Sequence, residues 1–166
     1  MSNNFKTARV VRHKPQDMFD LVADVERYPD FVPLCERLRV TRRVRAEAVE
    51  TVVADMSVGY RLYHETFTSR VELNHDELTI RASYVDGPFK HMDNLWRFTP
   101  HPNGCTVHFA IDYEFRSRSL ELVVGSLFDR AFRKFSSAFE ARADQVYGRR
   151  RRFARIAPSA QPAPST

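Results

Sequence analysis

Apolar residues in the last third of the chain recur with a helical period. Between residues 117 and 147 they are spaced three or four positions apart, and four of them are phenylalanines. The members are Leu120, Val124, Leu127, Phe128, Ala131, Phe132, Phe135, Phe139 and Val146. This spacing is typical of a helix with one buried face. No proline interrupts the segment, so it predicts a single helix of about 30 residues, or about 45 Å.

Upstream of this segment, apolar and polar residues mostly alternate, which is the period expected of half-buried β-strands. Alternating runs occupy residues 5–13, 36–46, 48–58, 62–73, 78–85, 92–98 and 107–115. Turn-forming residues such as Asp86-Gly87-Pro88 separate the later runs. We therefore predict one strand near the start of the chain and about six more before the long helix.

The segment between the first and second strands predicts two short helices. Pro15 suits the first turn of a helix, where its missing N–H does no harm. An apolar face follows, made of Met18, Phe19, Leu21 and Val22. Pro29 and Pro33 then restrict the next segment to a turn or a single helical turn.

The long helix has no partner helix long enough to cover it, because almost everything before it is predicted as strand. We therefore expect an α+β fold in which a curved antiparallel sheet closes over the helix. Such a closure can leave an apolar space between the two layers, and this space is the first candidate for a functional site. We place one domain at residues 1–148. A basic, then Pro/Ala/Ser-rich, disordered tail is expected at residues 149–166.

The net charge of +5 arises from this tail. It contains five arginines and no acidic residue: Arg149, Arg150, Arg151, Arg152 and Arg155. Without these five, basic and acidic residues balance at 21 each, so the folded part is close to neutral. An exposed basic tail can contact anionic lipid or RNA. A solubilising helix end is the simpler interpretation, because arginine is favourable near the negative end of the helix dipole.

A second group of arginines lies on the second predicted strand. Arg37, Arg39, Arg43 and Arg45 occupy alternating positions, so we expect that strand to have one strongly cationic face. Charged side chains commonly protect an exposed sheet edge from pairing with other sheets, and this interpretation is favoured. A surface that binds phosphate or acidic groups is the alternative.

Nothing in the sequence predicts export or membrane insertion. The first 14 residues contain no apolar run typical of a signal peptide, and no run reaches the about 18 apolar residues of a membrane span. Cys35 and Cys105 are far apart and have no CxxC partner, which favours two reduced, buried thiols over a zinc site. We expect a cytoplasmic protein, with peripheral contact at the inner face of the membrane as a further option.

The sequence contains no recognisable catalytic motif. It lacks GxSxG, HExxH and a glycine-rich phosphate loop. The six histidines are scattered over different segments. By alternation, His64 and His108 lie opposite the apolar faces of their strands and point to solvent, so they do not predict a metal or acid–base site. We expect no catalytic residues, no catalytic cofactor and no metal.

The predicted inner face of the sheet combines aromatic residues with a few polar groups. The polar groups are Glu65, Ser69, Asn94 and the hydroxyls of Tyr63, Tyr84 and Tyr113. A mainly apolar pocket with a few polar groups is typical of small-ligand sites. A fully packed core in which these polar atoms satisfy one another fits the pattern equally well.

Five segments together resemble a known family. They are residues 18–35, which contain Tyr-Pro-Asp-Phe-Val-Pro, residues 67–71, residues 87–98, which begin Gly-Pro-Phe-Lys, residues 112–115 and residues 139–143. Over residues 3–148 the chain resembles the coenzyme Q-binding START-domain family, within the polyketide cyclase and Bet v 1-like superfamily. The resemblance implies a helix-grip fold, with a seven-stranded antiparallel sheet wrapped around the C-terminal helix. It also implies non-catalytic binding of ubiquinone or a related isoprenoid lipid, in support of respiration or quinone biosynthesis.

The same segments leave other functions open. They also resemble bacterial ribosome-association toxins, so the alternative is a factor that binds the large ribosomal subunit and blocks subunit joining. A cyclase or hydratase on the same fold is a third hypothesis. It requires an acid–base pair in the cavity, for which only Glu65 and the tyrosines are candidates.

We predict that ten residues line the ligand cavity between sheet and helix. They are Val52, Met56, Phe67, Tyr84, Trp96, Phe109, Tyr113, Phe128, Phe132 and Phe135. The predicted entrance is formed by Tyr28, Phe31, Pro88 and Phe89. A hydrophobic small molecule such as ubiquinone is the expected ligand, and the ribosome is the expected partner under the alternative.

Overall fold

A computed structural model describes residues 2–148, and the predicted tail at residues 149–166 lies outside the described residues. Within residues 2–148 the chain forms seven strands, two α-helices and a 3₁₀ helix. They are β1 (Asn3–Val11), α1 (Pro15–Ala23), the 3₁₀ helix (Val25–Asp30), β2 (Cys35–Ala46), β3 (Val49–Tyr60), β4 (Tyr63–Asn74), β5 (Thr79–Asp86), β6 (Phe89–His101), β7 (Gly104–Phe115) and α2 (Arg118–Ala143). A π-helical turn, Asp144–Gly148, follows α2.

The strands form a single antiparallel sheet in the order β1-β7-β6-β5-β4-β3-β2. Strands β2 to β7 follow one another as a meander, because short turns connect neighbouring antiparallel strands. The two strands at the edges, β1 and β2, are consecutive in the chain, so α1 and the 3₁₀ helix carry the chain from one edge to the other. The predicted α+β helix-grip fold, with two short helices after the first strand, is confirmed.

The long helix begins as predicted but ends differently. The Ser117 side chain accepts a hydrogen bond from the Leu120 backbone N–H at 3.1 Å and caps α2. Phe128, Phe132 and Phe139 are buried, in agreement with the predicted apolar stripe. Val146 does not belong to the buried stripe, since it is 51% exposed. The π-helical turn explains this difference, because its wider spacing rotates residues after Ala143 away from the positions predicted by an α-helical period.

The prediction that β2 has one cationic face is wrong. Directly opposed residues of antiparallel strands share a face of the sheet. Arg39 is opposite Asp55, whereas Arg43 is opposite Val52, which is fully buried. Between them the register shifts by one residue at Val40/Arg42, which is a β-bulge. A bulge reverses the alternation that follows it, so the arginines before and after this point lie on opposite faces.

Helix α2 covers only part of the sheet. Among the described strands it packs most closely against β7 and β1. Its Phe132 ring lies 4.9 Å from Tyr113 of β7, measured between ring centroids, and its Phe135 ring lies 6.1 Å from Phe109. The helix therefore leaves space over the strands nearer to β2. Within residues 2–148, no helix is long and apolar enough to cross a membrane.

Candidate functional site: an apolar cavity beneath the long helix

An apolar cavity lies between α2 and the inner face of the sheet. Its empty volume is about 870 Å³, which includes space open to solvent, and about 80 Å³ of this accepts the centres of water-sized molecules. A single buried water needs about 10–15 Å³ of space for its centre, so several waters fit. The interior is therefore not fully packed, although the enclosed space is small.

The wall of the cavity is formed by 22 residues, all but two of which are apolar or aromatic. The two polar side chains are Ser69 on β4 and Asn94 on β6. Asn94 donates a hydrogen bond from Nδ2 to the Ala110 carbonyl oxygen at 2.9 Å. Asn94 and Ala82 lie in the middle of the sheet and are only half-buried, because the cavity lies over them.

The cavity is partly open to solvent, and several of its half-buried wall residues lie on the side of β2. Three half-buried wall residues belong to β2 or to the segment that leads into it, namely Pro33, Leu34 and Leu38. We call these three residues the mouth segment. Met56 of β3 and Phe135 of α2 are also half-buried wall residues. Their partial exposure follows from the position of α2, which packs against the opposite half of the sheet.

Six of the ten residues proposed to line the cavity lie on its wall. They are Met56, Phe67, Trp96, Phe128, Phe132 and Phe135. The structure places the other four elsewhere. Phe109 and Tyr113 of β7 are covered by α2 and are 1% and 2% exposed. Val52 is fully buried in the core, and the Tyr84 hydroxyl accepts a hydrogen bond from the Phe89 backbone N–H at 3.2 Å.

The four residues proposed for the entrance lie in two different environments. Tyr28 is on the cavity wall, and its hydroxyl donates a hydrogen bond to the Val22 carbonyl oxygen. Phe31 lies behind it, with its ring centroid 5.0 Å from that of Phe139, and is not on the wall. Pro88 and Phe89 are buried, and Phe89 is only 1% exposed. Neither Pro88 nor Phe89 lies on the cavity wall, so the structure does not place an entrance at this turn.

An aromatic cluster surrounds Phe89 and buries it. The Phe89 ring lies within 6 Å of five other rings, measured between centroids, in edge-on or tilted contacts. These rings belong to Phe67, Tyr84, Tyr113, Phe115 and Phe128. Such contacts add about 0.5–1.5 kcal/mol per pair to the burial of the rings. The sequence marks Phe89 as aromatic, but only the tertiary contacts reveal that it packs inside the protein.

Sequence reasoning missed the small residues of the wall. Ala54, Ala82 and Ala131 all line the cavity, on β3, β5 and α2 respectively. A short side chain leaves room where a larger one fills it, so these alanines help to determine the width of the space. The signal was available, because Ala54 and Ala82 belong to predicted inner faces and Ala131 to the predicted helical stripe. The prediction favoured the aromatic residues instead.

Burial keeps two tyrosines and both cysteines protonated at neutral pH. Burial raises the pKa of Tyr28, with the nearby Cys35 and Asp24 adding to the effect. Burial, with Glu65 as a second cause, raises the pKa of Tyr63 to about 12. Burial also raises the pKa of both thiols, Cys35 and Cys105, to about 11. Thiols that remain protonated are poor nucleophiles and poor metal ligands.

The structure does not bring the candidate acid–base groups together in the cavity. Glu65 is half-buried and does not lie on the wall. His64 is exposed on the outside of β4, where Nδ1 lies 3.0 Å from the Glu36 carboxylate. His108 Nε2 lies 3.1 Å from the Thr99 hydroxyl. Among the described residues, no group of three or more His, Cys, Asp or Glu side chains is arranged to hold a metal ion.

Comparisons with known proteins agree with this architecture. A family described as polyketide cyclase / dehydrase and lipid transport matches residues 11–140. The ribosome association toxin RatA of Vibrio cholerae is 36% identical over 140 residues, which cover 84% of this chain and 94% of the toxin. The mitochondrial coenzyme Q-binding protein COQ10 homolog B of Xenopus laevis is 30% identical over 152 residues, which cover 87% of this chain and 59% of that protein.

Two solved structures share the fold. The solution structure of an 18 kDa protein from Caulobacter crescentus is 36% identical, with a TM-score of 0.73 over 88% of this chain and 99% of that chain. The Zhui aromatase/cyclase from Streptomyces sp. R1128 has a TM-score of 0.74 over 87% of this chain and 95% of that chain. At 16% identity, the similarity to the Zhui aromatase/cyclase shows a shared fold and no more. Since the family match spans most of the described residues, this chain belongs to the polyketide cyclase / dehydrase and lipid transport family, with a START and Bet v 1-like fold.

Proposed function

We propose that this protein binds an isoprenoid lipid of the ubiquinone type in the cavity beneath α2, without catalysing a reaction. The observation that carries the proposal is the wall of the cavity, where Ser69 and Asn94 are the two polar side chains among 22 lining residues. The family description includes lipid transport, and one relative is named as a coenzyme Q-binding protein. Respiration or quinone biosynthesis is the process that such a ligand would serve.

The driving force for this binding is burial of apolar surface. Each 100 Å² of apolar surface removed from water contributes about 2.5 kcal/mol, before the cost of ordering ligand and side chains is subtracted. A polyprenyl tail is a row of apolar isoprene units, so an apolar wall of this composition can take much of its surface out of water.

Binding requires the wall to widen at the mouth. Sites for drug-sized ligands usually have a volume of about 300–1,000 Å³. In this cavity the volume open to water-sized molecules is about 80 Å³. Half-buried Leu34, Leu38 and Met56 border the open side and have fewer neighbours to displace than the fully buried residues. Methionine also adapts its shape easily, because its side chain is unbranched. We expect these three side chains to move when a ligand enters.

The two polar side chains provide a basis for recognising the ring of a quinone. Quinone oxygens accept hydrogen bonds, so a matching site must donate them. The Ser69 hydroxyl is a donor, and Asn94 has a second N–H besides the one bound to Ala110. Saturated isoprenoid hydrocarbons lack such acceptors. We therefore expect a ubiquinone-type molecule to bind more tightly than a hydrocarbon of equal length.

A pair of matched variants tests the proposal. Ala131→Leu places a larger side chain in the cavity, whereas Ala141→Leu makes the same change at an exposed position of the same helix. We expect Ala131→Leu to reduce bound ubiquinone at least tenfold, because it occupies about three methylene volumes of the cavity. Cavity filling of this kind commonly leaves stability unchanged or raises it. Ala141→Leu retains the ligand.

The measurement is lipid extraction and native mass spectrometry of protein purified from a quinone-producing host. Copurified quinone in the wild type and in Ala141→Leu, with loss in a folded Ala131→Leu variant, supports the proposal. Clean apoprotein in the wild type, together with failure to bind added ubiquinone from mixed micelles, contradicts it. So does equal quinone content in the two variants.

The second candidate function is association with the ribosome. It is favoured by the coverage of the toxin relatives, since the chain matches 94% of the Vibrio toxin and 97% of the RatA sequence of Rickettsia prowazekii, which is 30% identical. A factor that blocks subunit joining shifts the sucrose-gradient profile from 70S ribosomes to free subunits when overexpressed. An unchanged profile, with no cosedimentation at low salt, removes this candidate, because electrostatic binding to RNA is strongest at low salt.

A further inference from the structure

The three most exposed large apolar side chains are concentrated at one end of the described molecule. Leu62 at the tip of the β3–β4 hairpin is 99% exposed, and Leu122 and Val123 in the first turns of α2 are 83% and 75% exposed. Tyr63 and Phe128 connect the two elements, with ring centroids 6.3 Å apart. Exposed apolar side chains grouped in this way usually mark an interaction site.

Basic residues accompany these apolar side chains. The Arg61 guanidinium lies over the ring of Tyr60, 5.2 Å from its centroid, at the same hairpin tip. Arg116 and Arg118 lie at the junction of β7 and α2, and Arg116 donates a hydrogen bond to the Gly87 carbonyl oxygen at 3.1 Å. Within residues 2–148, neither Arg61 nor Arg118 has a carboxylate within ion-pairing distance. Their positive charges are thus available to an external partner.

The same end contains the mouth segment of the cavity. The Gly59 backbone N–H, just before the hairpin tip, donates a hydrogen bond to the Leu34 carbonyl oxygen at 3.0 Å. Leu34 lies on the cavity wall. The apolar hairpin tip is therefore attached directly to the segment at which the cavity opens.

We propose that the β3–β4 hairpin tip, residues 60–62, and the first turns of α2 dock this protein on an anionic lipid bilayer, next to the mouth of the cavity. Leu62 enters the boundary between headgroups and acyl chains, while Tyr60 remains at headgroup depth, as amphipathic aromatic rings prefer. Arg61, Arg116 and Arg118 contact the anionic headgroups. Exchange of a ligand with the docked bilayer rests on the proposed function. The docking itself does not depend on that function.

Charge complementarity selects a bilayer as the partner. Three exposed apolar side chains on two separate elements, with arginines beside them, offer little flat area for a stable protein interface. Such an interface usually buries about 800 Å² on each partner. A bilayer accepts a narrow apolar tip without a matching pocket and attracts the adjacent positive charges. Each arginine close to an anionic surface strengthens binding about fivefold.

Vesicle cosedimentation tests the docking with the full chain and without quinone. Phosphatidylcholine vesicles are compared with vesicles that contain one part phosphatidylglycerol to two parts phosphatidylcholine. We expect Leu62→Ser to lower the partition coefficient about tenfold on the anionic vesicles, since it removes the inserted apolar group. The control Val44→Ser, a change at a 47% exposed position on β2 toward the opposite end of the sheet, leaves binding unchanged. Arg61→Gln weakens binding to anionic vesicles only.

A tryptophan at the tip provides an independent readout. Trp96, the single tryptophan of the chain, is 3% exposed and contributes a constant background. We expect the emission of Leu62→Trp to shift to shorter wavelength on anionic vesicles, whereas Val44→Trp does not shift. Because Leu62 is 99% exposed, neither substitution at this site removes a native contact, so folding is preserved.

Three results overturn the docking proposal. They are no binding of the wild type to anionic vesicles, equal binding of the wild type and Leu62→Ser, and concentration-dependent dimers that Leu62→Ser abolishes, since a second copy then covers the patch. Failure of ligand binding is distinguishable, because Ala131→Leu loses quinone while it retains vesicle binding. Conversely, loss of vesicle binding in Leu62→Ser leaves ubiquinone uptake from detergent micelles intact.

Discussion

Single residues at the end of the sheet away from the β3–β4 hairpin tip connect separate elements through ion pairs. Glu50 of β3 lies 2.8 Å from the Arg43 guanidinium and 3.3 Å from Nε2 of His75. Arg43 also lies 3.3 Å from Glu26 of the 3₁₀ helix. The β-bulge in β2 places Arg43 where it makes these contacts. The bulge thus converts a predicted surface arginine into a link between the edge strand, β3 and the 3₁₀ helix.

We expect Glu50→Gln to lower stability by about 1 kcal/mol at pH 7 and to change its dependence on pH. The Arg43 hydrogen bond, partly opposed by burial and reinforced by His75, lowers the pKa of Glu50. A carboxyl with a lowered folded pKa stabilises the fold above its unfolded pKa of about 4.3, and this contribution is lost as the pH falls through the lower folded value. Urea denaturation between pH 3 and pH 7 therefore shows a shallower acid decline for Glu50→Gln than for the wild type.

The control for this experiment is Glu47→Gln, an exposed position on the same hairpin. Equal pH profiles of the wild type and Glu50→Gln would show that Glu50 makes no differential contribution. The ionisable groups that face Glu50 are Arg43 and His75, with Glu26 and Asp24 close to Arg43.

Gly87 is a position where only glycine fits. Its φ is +140°, and a Cβ atom at this site would lie 2.5 Å from Cβ of Phe67. We expect Gly87→Ala to destabilise the protein by about 2 kcal/mol. Gly125→Ala in the interior of α2 is the control, since a Cβ atom there would lie 3.3 Å from the flexible Glu121 side chain. It should stabilise by about 0.5–1 kcal/mol. Chemical denaturation should show that the free energy of unfolding falls in Gly87→Ala and rises in Gly125→Ala. Destabilisation by both changes would contradict the requirement for glycine at position 87.

At the scale of elements, α2 has to start at a defined place because it covers only part of the sheet. Ser117 determines that start through its bond to the Leu120 N–H. Asn3 of β1 donates to Glu121 at 3.2 Å, and Arg133 lies over the Phe5 ring at 4.7 Å from its centroid. These contacts hold the helix toward the β1 edge. The opposite half of the inner face is thereby left for the cavity.

We expect Ser117→Ala to lower the free energy of unfolding by about 1 kcal/mol, because it leaves a helix N-terminal donor without its cap. Ser119→Ala is the matched control, since Ser119 is exposed and lies inside the first turn. Thermal denaturation should show a decrease of about 2–4 °C for the first variant. A Tm of Ser117→Ala equal to that of Ser119→Ala would contradict the role of Ser117.

At the scale of the whole molecule, the two ends of the sheet differ in character. The end with the β2–β3 hairpin has the polar contacts of Arg43, Glu50 and His75, whereas the other end combines the exposed Leu62 with the mouth segment. A polar end and an apolar end suit a protein that meets a bilayer in one orientation. The cavity variant and the hairpin variants test these two properties separately.

The order and type of the elements were determined by the sequence alone, because they depend on spacing between near neighbours. The alternation in β7 and the recurrence of Phe128, Phe132, Phe135 and Phe139 specify a strand and a buried helical face wherever they are placed. The identity of the two polar cavity residues, Ser69 and Asn94, was also contained in the predicted inner face.

The tertiary structure alone decided where the cavity lies. Periodicity assigns Phe109, Tyr113 and Trp96 equally to the inner face, but α2 covers the first two and leaves the third on the wall. It also decided that Phe89 is buried away from the cavity wall rather than at an entrance, and that a bulge places Arg43 on the same face of the sheet as Val52. Each of these depends on contacts between residues far apart in the chain, and local hydrophobic spacing contains no information about which distant surfaces meet.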